Sequence, residues 1–202
     1  MKTRMVLTVL AVAGFVFATR AAPAEQPPNI VLIISDDQSW TDYGFMGHAV
    51  IQTPNLDRLA KQDVNFTRSY GATVCSPARS SQQCGFHQGH TFADRNDPDN
   101  AKKAMRADDV CLGDVLSQAG SVTGYWGKWG FGGSKDMTNP VIDNIQSLPT
   151  SHGYRHVVAE LHHVRAHTFF QPTLWTAPAA RDAVGGLELR LNSMAEYADD
   201  PA

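Results

Sequence analysis

The run Asn29-Ile30-Val31-Leu32-Ile33-Ile34 is continuous, apolar and largely β-branched. That composition predicts a strand buried on both faces of a parallel sheet, and with it an α/β fold. The run leads directly into Ser35-Asp36-Asp37. A predicted strand's carboxyl end is where open α/β sheets place their ligands. Adjacent carboxylates repel unless a cation lies between them, which suits a hard, oxygen-preferring ion such as calcium or magnesium. Taken alone, Asp-Asp reads more simply as a solvated turn.

The next segment, Thr53-Pro54-Asn55-Leu56-Asp57-Arg58-Leu59-Ala60, predicts a helix capped by Thr53. Pro54 takes the first helical position, and Leu56, Leu59 and Ala60 share one face. Val64 to Tyr70 alternates loosely, as a strand does, and delivers the chain to Val74-Cys75-Ser76-Pro77-Ala78-Arg79-Ser80-Ser81-Gln82-Gln83-Cys84-Gly85. This stretch puts a thiol at the start of a helix. Pro77 is tolerated in the first turn, where a missing N–H has no partner to lose, and free N–H groups there attract negative charge. Arg79 lies four residues beyond Cys75 and so on the same helix face. A nucleophile facing an anion pocket fits this pattern, although a low-pKa cysteine at a helix start also describes redox and transferase sites.

Residues 97–109 are charged and polar without apolar periodicity, as in a surface loop. Leu112, Val115, Leu116 and Ala119 then recur at helical spacing behind Asp108 and Asp109, with Gly120 placed to end the helix. Val122 to Trp126 follows as a strand, an alternation that fits a parallel crossover. In Gly127-Lys128-Trp129-Gly130 a lysine stands between glycines at the strand's end, where it can reach an anion. His152, His156, His163 and His167 would approach one face of a continuous helix, making zinc conceivable, but Gly153 and Pro172 argue against so long a helix.

Cys-x-Pro-x-Arg, followed by four residues, a small residue and Gly, resembles the signature of the sulfatase family. Cys75, Pro77, Arg79 and Gly85 stand at its spacing. Pro28-Asn29-Ile30-Val31, Asp36-Asp37, Tyr43-Gly44 and the Thr53 to Asp57 helix resemble the family's opening in the same order. Gly85-x-His87-x-Gly89-His90 with Arg95-Asn96 is similar to one arylsulfatase-like subgroup, and His167 lies in a stretch similar to a family His-Asn-Tyr-Tyr element. The resemblance implies a mostly parallel sheet flanked by helices, of the alkaline-phosphatase and sulfatase type. It implies that Asp36, Asp37 and the residue derived from Cys75 hold calcium, with magnesium as the alternative. It further implies that Cys75 is converted to formylglycine by a formylglycine-generating enzyme, that Arg79 supports the formylglycine hydrate, that Lys128 binds sulfate, and that His167 touches substrate. Gly130 occupies the place of a family histidine, and Gln82 and Gln83 stand where apolar residues are usual.

The resemblance spans roughly Pro28 to Asp200. The expectation is therefore the amino-terminal part, residues 25–202, of a truncated catalytic domain, incomplete in fold. Its implied reaction is hydrolysis of a small-molecule or glycan sulfate ester. The alternatives are a phosphate or phosphonate ester hydrolase of the same superfamily and an inactive fragment. Residues 1–24 read as a signal peptide, with Lys2 and Arg4, an apolar run from Met5 to Ala18, and a small-residue cleavage site at Ala22-Pro23-Ala24. That run is too short for an ordinary membrane span, so an exported protein, periplasmic or extracellular, with no stable span after cleavage is expected. Removing Lys2, Arg4 and Arg20 from 17 basic residues set against 20 acidic ones makes the balance more acidic than the formal −3. Such a balance without a basic cluster argues against nucleic acid. If Cys75 is converted, Cys84 and Cys111 remain either as a disulfide or as two separate buried thiols, and both readings stay open.

Overall fold

A computed structural model describes residues 27–87, 90, 105–130, 148–163, 165–168, 170–178 and 186–192. The predicted signal peptide, the Arg95-Asn96 pair, most of the 97–109 loop and the segment from 193 onward lie outside the described residues. The chain divides into two units, residues 1–35 and 36–202. In the first, the described residues 27–35 carry no regular secondary structure, and Ile30, Val31, Leu32 and Ile33 are exposed. The strand expected at 29–34 is therefore not formed. Apolar β-branched residues favour an extended backbone, but a strand exists only with a ladder partner, and among the described residues this run has none.

The second unit opens with Asp36. A 3-10 turn, Gly44–Met46, packs on helix α1, Pro54–Gln62. Thr53 precedes the helix as expected, yet its hydroxyl does not cap it. Thr53 Oγ1 instead donates to Asp57 Oδ1 at 2.7 Å and accepts the Gly44 N–H at 2.8 Å. A Cβ on Gly44 would lie 2.7 Å from Asp57 Oδ2, so a larger residue there would have to displace that carboxylate. Leu56 and Leu59 are exposed rather than packed. Val64 to Tyr70, expected as a strand, is irregular and exposed for the same reason as the first run: no neighbouring strand pairs with it among the described residues.

Helix α2, Cys75–Cys84, starts after extended Val74 and ends at Gly85, whose φ of 69° is the left-handed cap that glycine adopts freely. Helix α3, Leu112–Gln118, is capped by Cys111. The Asp114 carboxylate accepts the Cys111 N–H at 2.9 Å, while Asp109 turns back to accept the Arg106 N–H. Of the apolar face expected for α3, Val115 and Ala119 are exposed and Leu112 and Leu116 only half-buried.

A four-stranded sheet follows, formed by β1 (Gly124–Lys128), β2 (His156–Glu160), β3 (Thr173–Ala177) and β4 (Glu188–Leu191), in the spatial order of the chain. β1 and β2 are parallel, in register Tyr125↔Val157 and Lys128↔Glu160; the other two pairs are antiparallel. The α/β class is as expected, and the described sheet is mixed. β1 begins two residues later than the sequence suggests, so Lys128 is the strand's last residue. The ladder continues one step past it, through Trp129 N–H to Glu160 O at 2.8 Å. The core gathers Met105, Trp129, Leu148, Val157, Ala159, Leu161, Trp175 and Leu187 with Cys84 and Cys111. Tyr125, Trp129 and Tyr154 meet edge to face, with centroids 4.9 to 6.0 Å apart, between α2 and the sheet edge.

Candidate active site

Three local structures converge: the bend at Asp36-Asp37, the first turn of α2, and the carboxyl end of β1. Asp36 is the meeting point. Its Oδ2 lies 2.6 Å from Lys128 Nζ and 3.6 Å from Arg79 Nη2, and its Oδ1 accepts from Cys75 Sγ at 3.3 Å. Burial alone would raise the Asp36 pKa. Hydrogen bonds from Lys128 and Cys75 and the charges of Lys128 and Arg79 outweigh that, holding the carboxyl below the usual carboxylate range. Asp37 has φ +52°, left-handed backbone that non-glycine residues seldom adopt and that clusters at functional positions. One carboxylate oxygen each from Asp36 and Asp37 and the Cys75 sulfur lie within 4.8 Å of one another.

Helix α2 explains why Arg79 can take part. Its buried face is polar, made of Ser76, Arg79, Ser80 and Gln83 with Pro77 and Cys84, so each group needs a partner. Ser76 Oγ donates to Gly130 O at 2.8 Å, and Gln83 Oε1 accepts from Tyr154 Oη at 2.7 Å. Arg79 Nη1 donates to Tyr125 Oη at 3.1 Å and to the Lys128 carbonyl, which also accepts from Tyr125 Oη. Tyr125 was absent from the sequence-based site, since nothing at its position separates it from an ordinary strand aromatic. Burial, first of all, pushes its phenol above the ordinary value, Arg79 opposing and Asp36 reinforcing. It stays a neutral donor at pH 7.

Gly130 has φ +96°, and a Cβ there would lie 2.9 Å from Arg79 Cδ. The residue that replaces a histidine of the family pattern thus clears a path for the guanidinium. Lys128 reaches outward as well, its Nζ lying 3.1 Å from His167 Nε2 in an exposed contact. All six sequence-derived positions, Asp36, Asp37, Cys75, Arg79, Lys128 and His167, therefore fall in one neighbourhood. His87 and His90 are exposed, and the His90 N–H donates to the His87 carbonyl at 2.8 Å.

The four histidines at helical spacing do not share a helix. His152 ends a 3-10 turn, Pro149–His152; His156 opens β2; His163 follows that strand; and His167 ends a second 3-10 turn, Arg165–His167. Of the four, His152 alone belongs to a cluster of candidate metal ligands among the described residues. Glu160, buried at the end of β2, pairs with Arg165 Nε at 3.2 Å and fixes that second turn beside Lys128. It was not singled out in the sequence, because a strand hidden among histidines gave no sign of where its carboxyl end would fall.

The donor set suits a hard cation in part. Two carboxylates offer oxygens within 4.8 Å of the Cys75 sulfur, while Lys128 and Arg79 already pair with Asp36, so a bound cation competes with them for that carboxylate. These residues form part of a coordination shell rather than a closed one, since such ions take six or more oxygens.

The family model described as Sulfatase matches residues 28–175. An ulvan-active sulfatase of Formosa agariphila is 35% identical over 134 residues, which cover 63% of this chain and 25% of that protein. The N-acetylgalactosamine-6-sulfatase of Canis lupus familiaris is 36% identical over 136 residues, covering 62% of this chain and 25% of that one. Among solved structures, Ps i-CgsB in complex with k-i-k-neocarrahexaose superposes with a TM-score of 0.56 at 29% identity, covering 68% of this chain and 29% of that one. The yidJ protein of Bacteroides fragilis superposes at 0.61 with 24% identity, a likeness of fold alone, over 86% of this chain and 39% of its own length. The chain spans about a quarter of the length of the curated relatives it matches.

Proposed function

Because this chain belongs to the sulfatase family, we propose that it is the amino-terminal part of a catalytic domain that hydrolyses an organic sulfate ester to an alcohol and inorganic sulfate. The observation that carries this reading is the convergence of Cys75, Arg79 and Lys128 on Asp36, within 2.6 to 3.6 Å. A thiol, a guanidinium and an ammonium around a carboxylate form a site for a tetrahedral oxyanion with a counter-cation.

In this reading Cys75 is matured to formylglycine by a formylglycine-generating enzyme. So modified, Cys75 would supply an oxygen nucleophile and a reversible route to sulfate release that a thiol lacks. Asp36 and Asp37 hold calcium, or magnesium in its place, together with the residue derived from Cys75. When bound, such an ion lowers the pKa of a coordinated hydroxyl and offsets charge on the transferring group. Arg79, fixed by Tyr125 and the Lys128 carbonyl, points its second nitrogen toward Asp36 and supports the hydrate. Lys128 neutralises sulfate oxygens as negative charge shifts onto them. His167 sits against the Lys128 ammonium and faces the incoming ester.

A sulfated glycan is the substrate class we favour, since the names of two compared proteins carry ulvan and neocarrahexaose. Export follows from the reading of residues 1–24; among the described residues no helix is long and apolar enough to cross a membrane. The test compares sulfate and phosphate esters of one phenol, using protein produced with the modifying enzyme. Preferential cleavage of the sulfate ester, abolished by Cys75→Ser, is expected. Preference for the phosphate ester would favour a phosphoesterase of the same superfamily. No turnover of either ester and no stabilisation by calcium would identify an inactive fragment.

A further inference from the structure

Two cysteines lie outside this site, and the fold brings them together. Cys84 is the last residue of α2, and Cys111 caps α3. Their sulfurs are 3.3 Å apart inside the core, Cys111 at 1% exposure and Cys84 at 8%. We propose that Cys84 and Cys111 form a disulfide that ties the carboxyl end of the nucleophile helix to the start of the next helix. The link stands whether or not Cys75 is converted.

The pair is arranged for exchange. The hydrogen bond from Cys111 lowers the Cys84 pKa against the opposing effects of burial and of Asp109 and Asp114. The same bond, together with burial, raises that of Cys111. The better thiolate thus also belongs to the less deeply buried residue. Cys84 attacks one sulfur of a disulfide oxidant, such as oxidised glutathione or a protein disulfide, and releases one thiolate. Cys111 then gives up its proton and attacks Cys84 sulfur, displacing the second thiolate. Two electrons and two protons pass to the oxidant, which leaves as two thiols.

A metal is the competing use of Cys111, because its sulfur, an Asp114 oxygen and a His152 nitrogen lie within 4.8 Å of one another. The geometry favours the disulfide. A tetrahedral zinc with bonds of about 2.3 Å would hold two thiolates roughly 3.8 Å apart, so at 3.3 Å Cys84 is placed to bond Cys111 rather than to join that metal set. Asp114 Oδ2 is also occupied by the Cys111 N–H at 2.9 Å.

The full chain is incubated with oxidised or reduced glutathione, then unfolded, alkylated, digested without reductant and mapped by mass spectrometry, with zinc measured in parallel. A Cys84–Cys111 linked peptide is expected in the oxidised sample alone. Closing a loop of this length also predicts a Tm that falls by roughly 5–15 °C on reduction. Cys84→Ser and Cys111→Ser should each remove that redox dependence. Both cysteines alkylated after oxidation, either one linked to Cys75, or stoichiometric zinc with free thiols would overturn the proposal. Should the serine variants fail to fold, the peptide map of the unaltered chain decides alone.

Discussion

Asp36 carries the electrostatics of this site, and its pKa makes that testable. The folded-state pKa is held down, so the associated stability is present above the unfolded value, about 3.9, and is lost as pH falls through the lower folded value. Asp36→Asn should therefore lower Tm at pH 7, with the difference from the parent chain shrinking below about pH 4. A gap that persists unchanged to pH 2 would show that packing, not charge, holds Asp36. Gly130 makes a steric counterpart. Gly130→Ala forces a side chain into left-handed backbone and against Arg79 Cδ, and should cost roughly 1–3 kcal/mol in chemical denaturation. An unchanged midpoint would mean that Arg79 moves aside freely. Neither dependence was visible in the chain as text. Gly130 read as a missing histidine, and only the positive φ and the guanidinium beside it give the glycine a purpose.

Helix α2 shows how a departure from a familiar pattern is absorbed locally. Gln83 stands where an apolar residue is usual, and the fold answers with the Tyr154 hydroxyl. Gln83→Leu should destabilise by about 1–3 kcal/mol by orphaning that hydroxyl, and Tyr154→Phe in the same chain should recover most of the loss. Simple additivity in urea melts would rule out the pairing. Burial pushes Tyr154 up to about 12, so part of the tyrosinate absorbance should emerge only near that pH. The helices α1, α2 and α3 were all legible, because Pro54, Pro77, Gly85 and Gly120 mark their ends whatever the surroundings. Strands were not. Residues 29–34 and 64–70 have strand composition without a ladder partner, whereas β2 was concealed by its histidines although Val157-Val158-Ala159 sits at its centre. Pairing is a property of two segments, and one segment cannot announce it.

Across the chain, what the sequence disclosed of the site was its chemistry: the spacing of Cys75, Pro77 and Arg79, the Asp36-Asp37 pair, and Lys128 between glycines. What it withheld was the scaffold that aims them, namely Tyr125 beneath Arg79 and Glu160 beside the turn that carries His167. Such supports are ordinary core and strand residues until a fold gives them a charged neighbour. If Asp36 and Asp37 hold calcium, the ion should raise Tm in a concentration-dependent way, and Asp37→Asn should weaken the effect. An identical Tm with calcium and with chelator would remove the ion from the account. The most direct trial is mass spectrometry of the peptide spanning Cys75, from protein made alongside a formylglycine-generating enzyme and shown to cleave a sulfate ester. An aldehyde in place of the thiol is predicted; turnover by protein whose Cys75 remains wholly a thiol would contradict it.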